Sequence, residues 1–115
     1  MTRITPVRKW NTARKARAFA HAYGSAGRVA WVRSLPCWVQ LVGPREPCSG
    51  DVQNVHTKNG GMGLKAVAAT IIPLCRAHHT ELHQSGRRRF EERHGMSLTL
   101  AAENVEAAWQ RHQPL

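Results

Sequence analysis

Cys75-Arg76-Ala77-His78 sets a thiol and an imidazole three residues apart, a spacing that lets both reach one tetrahedral zinc ion from a single turn. Cys37 and Cys48 are the chain's other two cysteines. A fold that returns them to Cys75 and His78 completes a closed Cys3His site of the structural type. A count of three cysteines cannot be consumed by disulfides within one chain. Immediately downstream, His79 and His83 stand at i and i+4, on one face of a helix and about one turn apart, so they can share one metal ion. Glu81 follows His79 by two residues, which breaks the H-E-x-x-H order that zinc proteases need for their base. His56 ends the run Val52-Gln53-Asn54-Val55-His56, and a neutral imidazole near pH 7 is suited to serve as a general base.

The order of these pieces resembles the HNH endonucleases of the His-Me finger (ββα-metal) class: a strand closing on His56, a loop, Cys75-x-x-His78, then His79 and His83. A longer series is similar to the small HNH proteins carried by bacteriophages and prophages. It includes Tyr23-Gly24-Ser25, Ala30-Trp31-Val32, Leu35-Pro36-Cys37, His56-Thr57, Gly60-Gly61-Met62-Gly63, Lys65, Pro73-Leu74-Cys75, Glu81-Leu82-His83, Gly86 and Phe90-Glu91. The resemblance implies that His56 activates water and that His79 and His83 hold a catalytic divalent ion, Mg2+, Mn2+ or another, against the scissile phosphate. It also implies that Cys37, Cys48, Cys75 and His78 form a zinc knuckle. Thr70 stands where the family pattern has an asparagine that orients the base, and Val55 where many members place an acidic or histidine ligand. Water, phosphate or Asp51 would then complete the metal shell.

Charge points to a polyanionic partner. Lys and Arg number 17 against 7 Asp and Glu, a formal +10. Residues 1–45 contain no acid and carry Arg3, Arg8, Lys9, Arg14, Lys15, Arg17, Arg28, Arg33 and Arg45. Such a segment gains free energy by neutralising phosphates and releasing their counterions, so DNA is the expected partner, with Arg14, Lys15 and Arg17 as contacts. Arg87-Arg88-Arg89 after the histidine helix, and Lys58 and Lys65 beside the run Asn59 to Gly63, are candidates for gripping phosphate near the cut. No window approaches the roughly 18 apolar residues of a membrane helix and no apolar leader opens the chain, so no membrane partner is expected. The expected location is the cytoplasm of a bacterial host cell, with phage replication, recombination or packaging proteins as possible partners.

Several elements must hold these residues. Residues 12–22 are strong helix formers stopped at Gly24, and Ser25 caps a second helix that carries Val29, Trp31, Val32 and Leu35 to Pro36. Trp38 to Val42 and Val52 to His56, separated by Gly and Pro, predict a hairpin, followed by a glycine-rich loop at 59–63. Ile71 to Cys75 is β-like and leads into a helix from Arg76 to Gln84. Further helices are predicted over Arg87 to His94 and Thr99 to Gln110, the last with Leu100, Val105, Ala108 and Trp109 on its apolar stripe. The expected fold is a single α+β domain over residues 1–115: a basic helical N-terminal arm (1–35), a zinc-stabilised ββα-metal core (36–86) and C-terminal helices (87–115). The expected function is metal-dependent hydrolysis of DNA phosphodiester bonds. A zinc-stabilised DNA-binding module with a weakened or inactive nuclease site is the alternative.

Overall fold

A computed structural model describes residues 9–43, 47–58 and 67–112. Gly24, at φ +86°, stops helix α1 (Lys9–Tyr23), and the Ser25 hydroxyl accepts the Arg28 amide at 3.0 Å to open α2 (Ala26–Arg33). After Pro36 the chain makes a short helix, α3 (Trp38–Val42), where the sequence predicts the first strand of a hairpin. Burial explains the difference. Val39 is fully buried while Leu41, two residues on, is 56% exposed, so the period-2 burial that would repay a strand is missing.

Strand β1 (Val52–His56) pairs instead with β2 (Ile71–Cys75), antiparallel, in a two-stranded sheet. All five positions of β2 are buried, which makes it the partner with most apolar surface to remove from water. The register sets Gln53 opposite Leu74, Asn54 opposite Pro73 and His56 opposite Ile71. Beyond the strand ends, the amides of Thr57 and Arg76 donate to the carbonyls of Thr70 and Asp51 at 2.8 and 2.9 Å. Counting inward by twos makes Asn54 and Pro73 a non-hydrogen-bonded pair, where a proline costs the ladder nothing.

A 3₁₀ turn (Ala68–Thr70) precedes β2, and α4 (Arg76–Ser85), α5 (Arg87–His94) and α6 (Leu98–His112) follow it. The α6 stripe that faces the core is Leu98, Ala101, Ala102 and Val105; Leu100, expected on it, is 56% exposed. These residues join Val39, Val55, Ile72, Leu74, Leu82 and Phe90 in one core, so the fold is α+β and mostly helical around a small sheet. Of the helices expected to form an N-terminal arm, α2 packs on the sheet, the Asn54 side-chain amide donating to the Val29 carbonyl at 3.1 Å. Helix α1 keeps most of its described side chains exposed and meets β1 through Ala22 and Tyr23. Among the described residues no helix is long and apolar enough to cross a membrane.

Arg28 ties α2 to α6 and to the turn before β2 from inside. Its side chain is 3% exposed, meets the Glu106 carboxylate of α6 at 2.6 Å and donates to the Ala68 carbonyl at 3.0 Å. Removing one member of a buried pair strands the other's charge. Arg28→Ala should therefore cost about 3 kcal/mol, the low end for such pairs because the Glu106 side chain keeps 29% exposure. Urea denaturation measures this, and Arg28→Lys should recover only part, because a single ammonium cannot span both partners.

Candidate functional site

Cys75, the last residue of β2, is also the N-cap of α4: its sulfur accepts the His78 amide at 3.4 Å. The amides of Arg76 and Ala77 donate to the carbonyls of Asp51 and Ser49 at 2.9 and 3.0 Å, which docks the segment bearing Cys48 onto the start of α4. Gly50 allows that approach. At φ +87° it lies so close to Arg76 that an added Cβ would stand 2.7 Å from the arginine's own. Cys37 enters from the start of α3.

The three sulfurs and one His78 nitrogen lie within 4.8 Å of one another. His78 Nδ1 is 3.5, 3.7 and 3.1 Å from the sulfurs of Cys37, Cys48 and Cys75. A tetrahedral ion with Zn–S of about 2.3 Å and Zn–N of about 2.0 Å requires N···S edges of about 3.5 Å. The cluster is thus one that could hold a metal ion such as zinc. Without a cation the crowded sulfurs differ in how readily they ionise. Burial, and then the neighbouring Cys37 and Cys75, push the Cys48 thiol up to about 12. Burial also acts to raise Cys75, but the backbone amides of His78 and Ser49 and the other two thiols donate to its sulfur and hold it below the ordinary thiol value.

Behind His78 stand Glu81 and His94, with one donor atom from each of the three within 4.8 Å of the others. Both Glu81 oxygens lie 3.0 Å from His94 Nε2, and Arg93 approaches one of them at 3.6 Å. This carboxylate backing has no signature in the sequence. His94 sits 16 residues beyond His78, and only the packing of α5 on α4 brings them together.

On the next face of α4 the Nε2 atoms of His79 and His83 are 2.9 Å apart. This is the separation of an N–H···N hydrogen bond between the two rings, and two nitrogens bound at about 2.1 Å to one ion and about 90° apart would stand about 3.0 Å from each other. Burial, and then the charge of His83, hold His79 below the ordinary imidazole value, favouring its neutral form. His79 Nδ1 faces Gln53 Oε1 at 2.7 Å. Sequence reasoning missed Gln53, although strand alternation, which puts it on the same side of β1 as Val55, could have found it. Val55 itself is 1% exposed, within the core. Among the described residues no carboxylate, thiol or third histidine lies within 4.8 Å of both His79 and His83, Asp51 included.

His56 points to the other side of β1. Its Nε2 is 2.7 Å from the Ala22 carbonyl in the last turn of α1, and Tyr23 packs on its ring at 5.1 Å between centroids. Thr70, expected to orient this base, does not reach it. The Thr70 hydroxyl donates to the Val67 carbonyl at 2.7 Å, closing its own turn, while its carbonyl accepts the Thr57 hydroxyl at 2.7 Å.

Arg14, Lys15 and Arg17 are exposed along α1, as are Lys58 after β1 and Arg89 on α5. Arg88 pairs with Glu92 one turn on at 3.1 Å. Arg87, expected to grip phosphate, is partly exposed and donates to the Thr57 carbonyl and to the Thr99 hydroxyl, both at 2.6 Å. Lys65 and the glycine-rich run Asn59 to Gly63 lie outside the described residues.

No solved structure matches the chain. Over 78 residues it is 35% identical to the Uncharacterized protein YdfU of Escherichia coli (strain K12), an alignment that covers 68% of this chain and 21% of that protein. The chain therefore spans about a fifth of the length of this relative. Residues 15–111 match the family described as Protein of unknown function (DUF968), and the chain belongs to that family.

Proposed function

We propose that the chain is a metal-dependent endonuclease that hydrolyses DNA phosphodiester bonds through a ββα-metal arrangement of β1, β2 and α4. The observation that carries the reading is the 2.9 Å approach of the His79 and His83 Nε2 atoms on the helix that the Cys3His cluster anchors. A divalent ion held by this pair would supply positive charge to offset that developing on the phosphate and its leaving oxygen. The rest is done by the chain. The Ala22 carbonyl accepts a hydrogen bond from His56 Nε2–H, which fixes the tautomer and leaves the Nδ1 lone pair to take a proton from water. Cys37, Cys48, Cys75 and His78 would hold a structural zinc ion and so fix where β2 ends and α4 begins. Arg14, Lys15 and Arg17 offer phosphate contacts on the helix whose last turn carries Ala22.

A DNA-binding module with a weak or absent nuclease site is the second reading. It is favoured by the buried Val55, the Thr70 hydroxyl turned to its own backbone, and the lack of a carboxylate near the histidine pair among the described residues.

Plasmid nicking in Mg2+, Mn2+ or Ni2+ separates the two. On the nuclease reading His56→Ala abolishes cleavage but leaves metal and DNA affinity near wild type, since a base acts in the transition state. His83→Ala weakens metal binding and is partly rescued by excess metal. Intact plasmid under all three metals, with DNA still bound, would select the binding module.

Elemental analysis of protein purified without chelator should find about one zinc per chain. Cys75→Ser should lose it together with the fold, because a structural zinc contributes on the order of 10 kcal/mol, comparable to the whole stability of a small domain. Folded wild-type protein free of zinc would refute the assignment. DNA affinity should fall steeply with salt, and replacing Arg14, Lys15 and Arg17 with alanine should flatten the log–log slope by about 0.9 for each phosphate that is no longer neutralised. An unchanged slope would place the phosphate-binding surface elsewhere.

A further inference from the structure

Gln53 stands between the sheet and the histidine pair. Its side-chain oxygen is 2.7 Å from His79 Nδ1, and the Nε2 atom on the far side of that ring is 2.9 Å from His83 Nε2. A neutral imidazole has one N–H and one lone pair, and which nitrogen carries the proton is decided by the partner that the ring finds. A carboxamide oxygen can only accept, so opposite Gln53 the His79 proton sits on Nδ1 and the lone pair is confined to Nε2. That is the atom facing His83.

We infer that Gln53 is the positioning residue of the His79–His83 metal pair, fixing the tautomer and the ring plane of His79; this rests on the metal-pair reading above. β1 is built to hold it there. Gln53 lies opposite Leu74, next to the Val52–Cys75 pair, and Cys75 caps the helix that carries His79 in its first turn. The register of the sheet and the cap of α4 therefore set the Gln53–His79 distance jointly. His79 is also the more enclosed of the two, half-buried where His83 is exposed, so it is the ring whose orientation can be dictated by a neighbour. Glutamine differs from a carboxylate in this role. It directs the ring without adding negative charge, so the positive charge of a bound ion would remain available to phosphate.

The test uses the 115-residue chain as purified without chelator, with Mn2+ as the probe, titrated by calorimetry. Partners in this position typically govern metal affinity by about tenfold to a hundredfold. Gln53→Leu should weaken Mn2+ binding by at least about tenfold, with zinc content and urea midpoint unchanged, and Gln53→Glu, which restores an acceptor, should recover it. Nitrogen-15 spectra of the imidazoles give a readout that needs no variant: wild-type His79 should be the Nδ1–H tautomer before Mn2+ is added, and Gln53→Leu should lose that signature. His79 found as the Nε2–H tautomer in the wild type, or wild-type Mn2+ affinity in Gln53→Leu, overturns the inference. His83→Ala separates this from failure of the metal pair itself. If His83→Ala weakens Mn2+ binding and Gln53→Leu does not, only the positioning role falls; if neither does, the pair is no metal site and both readings fall.

Discussion

Three thiols crowded together in a protein interior resist ionisation, because each thiolate formed would sit in a poorly solvated site beside the other two sulfurs. In this chain the sulfurs of Cys37, Cys48 and Cys75 and one His78 nitrogen meet within 4.8 Å, and Cys48 responds by holding its proton to about 12 as burial and its neighbours act on it. The four ligands arrive on three pieces of chain: the start of α3, the segment before β1, and the junction of β2 with α4, which brings both Cys75 and His78. Everything proposed for the histidines depends on that junction, since α4 carries His79 and His83 and its first turn is fixed by Cys75 and by the carbonyls of Ser49 and Asp51. A sheet of two five-residue strands has little area with which to fix a helix by burial alone.

β1 separates two chemistries by alternation. Gln53 faces α4 and its histidine pair, while His56, three residues on, faces the last turn of α1. Both contacts are made to an imidazole by an acceptor that carries no formal charge, a carboxamide in one case and a helix carbonyl in the other. The strand thereby couples two otherwise unrelated helices, and Arg87 secures its end by donating to the Thr57 carbonyl one residue beyond His56.

Much of this was legible in the sequence where local rules decide. Ser25, Gly24, Gly86 and Gly95 mark helix ends through caps and positive φ, and the helices they delimit are found. The Cys3His set was readable because it uses every cysteine and a C-x-x-H turn. Trp38 to Val42 misled because its β-branched and aromatic composition suits a strand, whereas the available partner for β1 was the more deeply buried Ile71 to Cys75. The roles of Ala22, Glu81, His94 and Arg87 have no local signature at all. Each is created when elements distant in sequence pack, as when Arg87 reaches Thr57 across 30 residues.

Pro73 has a consequence of its own. β2 is a run of five buried residues with a central strand's composition, yet in a sheet of two every strand is an edge. Because the Asn54–Pro73 pair is of the non-hydrogen-bonded kind, the amide that proline lacks is one that would have pointed outward, away from β1. The outer rim of β2 thus has a gap in the middle of its row of donors, and because all five residues of the strand are buried, that is one amide fewer to be satisfied away from water. Proline at the midpoint of a buried strand removes an amide that would otherwise need a partner, without cost to the pairing that the fold uses.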